Sequence, residues 1–166
     1  MTPDTTTSQG RLTGSEWGLA MAPTGLPPER IADMDMIDWR PFRAEFQILF
    51  GDQDEIISLS TGSGWRQLVW DLCVTLEELA RQQVAEGHHP MRVSQVKEKF
   101  GCLRFYLASG TGSLAEKAFE LIEAAEERSG TICEQCGKPG KTQTLRGWDM
   151  TYCPDHWREA LKEKRD

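Results

Sequence analysis

Cys133-Glu-Gln-Cys136-Gly137 is followed by Cys153-Pro-Asp-His156, with sixteen residues between Cys136 and Cys153. Three thiolates and one imidazole arrive as two pairs, each with two residues between its members. That ligand set and spacing suit a tetrahedral Zn²⁺ ion. A CxxC turn lets two sulfurs converge on one ion while backbone amides donate to them. A shell closed by four protein ligands leaves no position for a substrate water, so the site reads as structural. The expectation is Zn²⁺ held by Cys133, Cys136, Cys153 and His156. The rivals are two chance pairs of core residues and a redox CxxC. A second pair, and no thioredoxin-like strand before the first, count against redox chemistry.

Other chemistry-bearing residues form no comparable set. No nucleophile elbow, Walker loop, HExxH or deaminase arrangement occurs. His88 and His89 are followed by Pro90 and read as a solvated loop. Cys73 reads as core. Asp149 and Asp155 are the nearby carboxylates of interest for catalysis, and Asp155 suits a helix cap. The chain is therefore expected not to be an enzyme, a zinc-dependent nuclease being the alternative.

The 166 residues carry a formal net charge of −7 and five cysteines. An odd cysteine count argues against a secreted disulfide framework, and reduced thiols with zinc point to the cytoplasm. Met1 to Gly10 is polar and does not resemble a signal peptide. No apolar run approaches the roughly 20 residues that span a bilayer. From Ser129 onward seven basic residues meet six acidic ones, leaving twelve basic and twenty acidic elsewhere. The metal region is thus near neutral and the rest strongly acidic.

The elements that must position the ligands follow from periodicity. Residues 1–40 read as a flexible arm rich in Thr, Ser, Gly and Pro. Residues 41–128 read as an α+β body of helix, β-hairpin and helix. Residues 129–166 read as a metal module. In the body a short helix runs from Pro41 through Phe42, Phe46 and Leu49, and Asp52 to Gly64 forms a loop. Trp65 to Ala85 is the strongest helix. Its apolar stripe is Trp65, Leu68, Val69, Leu72, Cys73, Leu76, Leu79, Ala80 and Val84, with Glu77, Glu78, Arg81 and Gln82 opposite. Met91 to Leu107 reads as a hairpin turning at Gly101, because Leu103, Phe105 and Leu107 alternate with Arg104 and Tyr106. Ser113 and Glu116 form a capping-box signature for a helix from Leu114 to about Arg128, stopped by Ser129-Gly130. In the module Lys141 to Leu145 and Trp148 to Tyr152 can pair across Arg146-Gly147, and Cys153-Pro154-Asp155-His156 opens a final helix, Trp157 to Lys164, with Pro154 at an early helical position. Knuckle, hairpin and helix make a treble clef. A zinc ribbon is the rival.

Lys97-Glu98-Lys99-Phe100-Gly101-Cys102-Leu103-Arg104-Phe105-Tyr106 resembles a motif of a family of small, largely uncharacterised bacterial and phage proteins. The likeness extends to Gly64-Trp65, Ser129, Cys133-x-x-Cys136-Gly137, Trp148 and Cys153-x-x-His156. It covers roughly Phe50 to His156. Relatives carry a small residue where Cys102 stands, which argues against a shared role for that thiol. The resemblance implies a phage or prophage setting and no particular reaction.

The hairpin is the expected partner surface. Lys97, Lys99 and Arg104 set positive charge beside Phe100 and Tyr106, a combination that holds phosphate or stacks on bases. The alternative is ordinary core packing with a solvated turn. The expected function is non-catalytic binding to a protein or nucleoprotein complex, ahead of free nucleic acid. One version is an inhibitor of a host nucleic-acid-directed defence system whose acidic body imitates DNA. A virion or assembly accessory protein is the other reading. No membrane partner is expected, and the sequence leaves the oligomeric state open.

Overall fold

The computed structural model describes residues 40–51, 58–108 and 112–162. The expected arm, apart from Arg40, lies outside the described residues. So do residues 52–57 of the expected loop and 163–164 of the expected last helix.

Two short helices open the body, α1 (Arg40–Glu45) and α2 (Gln47–Phe50). The single expected helix is interrupted at Phe46, whose φ of −108° and ψ of 65° leave the helical region. Their Phe42, Phe46, Leu49 and Phe50 are all buried. They pack on α3 (Arg66–Ala85), which a 3₁₀ turn at Ser63–Trp65 precedes. The indole of Trp70 on α3 meets the rings of Phe42 and Phe46 at centroid distances of 5.0 and 4.8 Å. Edge-on aromatic contacts of this kind add to area burial.

This second packing partner changes which faces of α3 are inside. The stripe from Leu68 to Ala80 is buried as expected, but Val84 is 50% exposed. Glu77, expected on the solvent face, is buried, as are Trp70 and Gln83. Glu77 is there because α2 begins with amides that need acceptors. Its two oxygens accept from the Ile48 and Leu49 N–H groups at 3.1 and 2.9 Å. Gln83 Oε1 likewise accepts from the Met91 amide at 2.8 Å, where the chain turns into the sheet.

The sheet has strand order β1 (Ser58–Ser60), β2 (Arg92–Lys99), β3 (Cys102–Ala108). Strand β1 pairs parallel to β2 and lies where a loop was expected. The β2–β3 hairpin is antiparallel, with Val96 opposite Phe105 and Lys99 opposite Cys102. Only Phe100 and Gly101 remain for the turn, at φ 56° and 73°. Two central residues with positive φ match the right-handed twist of the flanking strands. Glycine takes that conformation freely, whereas an aromatic residue there is unusual.

Helix α4 (Ser113–Ser129) covers β3 and packs beside α3. Ala118, Ile122 and Ala125 are its buried stripe. The expected capping box is not formed. Ser113 lies inside the helix, Gly112 at φ 88° is the cap, and no side chain caps it. The other end is more consequential. Ser129 Oγ accepts from the Leu103 amide at 2.8 Å, and Glu126 Oε1 from the Phe105 amide at 3.0 Å. Both amides belong to β3, which among the described residues has no further strand beside it. The helix thus satisfies an edge that would otherwise attract another chain. Residues of α1 to α4 and the sheet merge into one core, in which Leu72, Leu76 and Phe105 are 1%, 0% and 3% exposed.

The C-terminal region adds β4 (Lys141–Leu145), β5 (Trp148–Tyr152) and α5 (Pro154–Lys162). The hairpin pairs across Arg146-Gly147 as expected, again with positive φ at both turn residues, 55° and 85°. Helix α5 starts at Pro154, within the Cys153 to His156 segment expected to open it, because proline needs no amide partner in a first turn. The whole is an α+β fold with a C-terminal Cys/His cluster.

Candidate metal centre

Each ligand is set by a different local device. Cys133 sits at the start of a tight knuckle. Its carbonyl accepts from the Gly137 amide at 2.8 Å, and its amide donates to the Lys138 carbonyl at 2.8 Å. Gly137 at φ 75° lets the chain reverse after Cys136. Cys153 lies between β5 and α5, and His156 falls in the first turn of α5. Knuckle, hairpin and helix follow in the order expected of a treble clef, with one ligand just before the helix and one in its first turn.

The four donors converge. Nδ1 of His156 is 3.3 Å from Sγ of Cys133 and 3.3 Å from Sγ of Cys153. Sγ of Cys136 is 3.8 Å from Sγ of Cys153, and all four ligand atoms lie within 4.8 Å of one another. A tetrahedral ion with Zn–S near 2.3 Å and Zn–N near 2.0 Å sets ligand atoms about 3.5–3.8 Å apart. A disulfide needs about 2.05 Å, so the sulfurs are spaced for an ion and not for a bond. The cluster can therefore hold a metal ion. The imidazole offers Nδ1 to the sulfurs, while its Nε2 lies 3.9 Å from Glu159 Oε2.

Local fields suit thiolate ligands. The amides of His156 and Asp155, at the start of α5, act on the Cys153 sulfur. The His156 amide is the main cause that brings its thiol down to about 7. Desolvation pushes Cys136 up to about 11, opposed by the Lys138 amide and reinforced by its neighbouring thiols. Cys153 is thus eased toward the thiolate while Cys136 is held back from it, and a bound cation would favour the thiolate form.

The module is bonded to the body through backbone. Gly64 donates its N–H to the Glu134 carbonyl at 2.7 Å, and the Trp65 indole donates to the Ile132 carbonyl at 2.8 Å. A Cβ at Gly64 would overlap the Cys133 carbonyl and the amides of Cys136 and Gly137. Thr151 donates its hydroxyl to the Gly101 carbonyl at 2.5 Å and meets the Thr142 hydroxyl at 2.7 Å. So Gly64-Trp65, Gly101 and Ser129, noticed in the sequence as motif residues, are parts of joints. The part played by Thr142 and Thr151 is not legible in the sequence, since a β-strand threonine carries no signal of a distant carbonyl. Glu134, next to Cys133, is also at this joint. Burial, then the charge of Glu98, push its carboxyl up to about 7.

Four of the five expected partner-surface residues share one exposed region of the β2–β3 hairpin. Lys97 Nζ lies 5.2 Å from the centre of the Tyr106 ring, and Lys99 Nζ 5.0 Å from that of Phe100. Phe100 is 65% exposed and Tyr106 40%. Arg104 is engaged elsewhere, its Nη1 lying 3.2 Å from Glu126 Oε2 and donating to the Leu103 carbonyl at 2.8 Å. His88 lies 3.8 Å from Glu86, and neither His88 nor His89 joins the metal cluster. Cys73 is fully buried in the body core, and its thiol is raised, mainly by burial and then by the Glu77 charge.

No protein-family model matches the chain, and no curated protein or solved structure matches it. Fold and site together define an α+β protein with a small C-terminal Cys₃His cluster that could hold a metal ion. Among the described residues no helix is long and apolar enough to cross a membrane.

Proposed function

We propose that this chain is a zinc-stabilised, non-catalytic binding protein. It contacts a protein or nucleoprotein complex through the Lys97 to Tyr106 hairpin beside the metal module. The observation that carries the reading is the Phe100 turn. An aromatic ring 65% exposed, at a positive φ that glycine or asparagine would take more easily, is costly to keep unless something binds it. Lys97, Lys99 and Tyr106 surround it with charge and a second ring, the mixture that anchors interfaces. Zinc fits the four converging donors. With all four positions taken by protein atoms, such an ion braces the fold and leaves no site for substrate.

The likeness of the Lys97 to Tyr106 motif to small phage proteins supports a phage or prophage origin. In that setting the acidic body would serve an inhibitor of a host nucleic-acid-directed defence system. The test is affinity capture with the full chain, followed by direct binding to each purified candidate. The quadruple change Lys97→Glu, Lys99→Glu, Phe100→Ala and Tyr106→Ala should abolish binding while zinc content and helical signal stay intact. A nucleic-acid partner would show steep salt dependence that the two lysine reversals flatten. A protein partner would respond most to Phe100→Ala. Capsid components alone in the captured fraction would favour the assembly reading. Undiminished binding by the quadruple variant would move the active surface elsewhere.

A further inference from the structure

The metal module carries a second surface, unrelated to the Lys97 to Tyr106 hairpin. In the β4–β5 register Lys141 stands opposite Tyr152 and Gln143 opposite Met150. Cross-strand partners share a face, so these four lie on one side of the hairpin. The other side, with Thr142 and Thr151, is turned to Gly101 of the body. On the free side Lys141, Gln143 and Tyr152 line a groove of about 480 Å³, walled by Pro139, Pro154 and Trp157. This volume is typical of a ligand site.

We propose that this groove binds an extended, proline-containing peptide segment with an adjacent acidic residue. Three observations select that occupant. Indole, phenol and proline rings make flat apolar walls, the surface on which polyproline II segments dock. Such segments keep their carbonyls unpaired. The groove answers with donors: among the described residues neither the Trp157 indole N–H nor the Gln143 amide donates to the protein. The third is charge. Arg158, also on the lining, lies 2.5 Å from Asp155, whereas Lys141 has no carboxylate partner among the described residues. One unmatched ammonium group suits one carboxylate. A single strand of nucleic acid would bring several phosphates to a chain of net charge −7.

The proposal rests on the zinc reading only in that the module must be folded, so zinc content is measured first. Loss of zinc counts against the metal reading and says nothing of the groove. The zinc-loaded full chain, labelled with ¹⁵N, is titrated with acetyl-Pro-Pro-Leu-Pro-Glu-Glu-amide. Saturable shifts of the Trp157 indole and the Lys141 and Gln143 amides are expected. Lys141→Glu, a change on an exposed strand position, should weaken binding about fivefold or more, as the reversal of one exposed ion pair. The same variant should strengthen binding of the peptide ending in Lys-Lys. Trp157→Phe, which removes the N–H and keeps most of the ring, should weaken both peptides. Three outcomes overturn the proposal: no shift at millimolar peptide, equal binding of a Gly-Ser peptide of the same charge, or shifts at these residues with hexathymidylate in place of the proline peptide.

Discussion

The body and the metal module are held together by different forces. In the body, side chains from four helices and a sheet close on one another, and Phe42, Leu49, Trp65, Val69, Trp70 and Leu76 are wholly buried. Among the described residues after α4 the buried ones are Cys133, Thr151 and Cys153, and α5 buries none of its side chains. Burial of an aliphatic or aromatic side chain contributes about 1.5–3 kcal/mol, and the body has many. The described part of the module has almost none, so its hairpin and helix are expected to depend on a cross-link through the four ligands. A region can thus have regular secondary structure and still lack the means to keep it.

The largest expected effect tests that difference directly. Removing the metal with a chelator, or changing Cys133→Ser, should unfold the module and leave the body folded. Structural zinc sites supply on the order of 10 kcal/mol of folding energy. Hydrogen exchange should show residues 133–162 losing protection while α3 and β2 keep theirs. Simultaneous loss of both regions would show that the module is needed for the body, and no loss in either would refute the metal-dependent reading. Cys73→Ser should leave metal content unchanged, because that thiol lies in the body core.

Gly64→Ala addresses how separate the regions are. The position belongs to the body's α3 start, yet an added methyl would overlap three backbone atoms of the knuckle. Backbone cannot swing aside as a flexible side chain can. The substitution should cost about 3 kcal/mol, at the upper end of overpacking effects, and should weaken metal binding as well. Competition with a metal indicator reads the second quantity. A loss of body stability with unchanged metal affinity would mean that the joint transmits nothing.

Glu77→Ala is the body's own counterpart. It leaves the Ile48 and Leu49 amides without their acceptor in a buried place. A cost of about 2 kcal/mol is expected in urea unfolding, with metal affinity unaltered. If metal affinity fell too, the two regions would be coupled through more than the Gly64 joint.

How legible each region was in the sequence follows from the same contrast. The module's parts are local. Ligand spacing, an Arg-Gly turn between alternating residues and Pro154 at a helix start are all readable within a few positions. The body's errors arose where one element answers the needs of another. Helical periodicity places Glu77 outside, because it cannot register that α2 will bring unpaired amides to that face. Strand β1 is three residues in a Gly/Ser-rich stretch, and its partner β2 lies some 37 positions away, as in Ser58 with Gln95. The constraint at Gly64 is likewise invisible without Cys133 beside it. The turn at Phe100-Gly101 was readable as a turn, but not the positive φ forced on the phenylalanine.

That phenylalanine gives the smallest expected effect and the sharpest contrast between stability and binding. At φ 56° Phe100 bears a strain of about 1 kcal/mol, which asparagine, better suited to this region, would relieve. The change removes the contact of Lys99 with the ring, worth about 0.5 kcal/mol at an exposed site. Phe100→Asn should therefore stabilise the body slightly, by about 0.5 kcal/mol, and leave the module and its metal unaffected. It should nonetheless weaken capture of the partner, because the exposed ring is gone. Urea midpoints and partner binding measured on the same preparation separate the two. A variant that is more stable and still binds fully would show that the ring serves neither purpose, and would remove the main support for placing the partner surface on this hairpin.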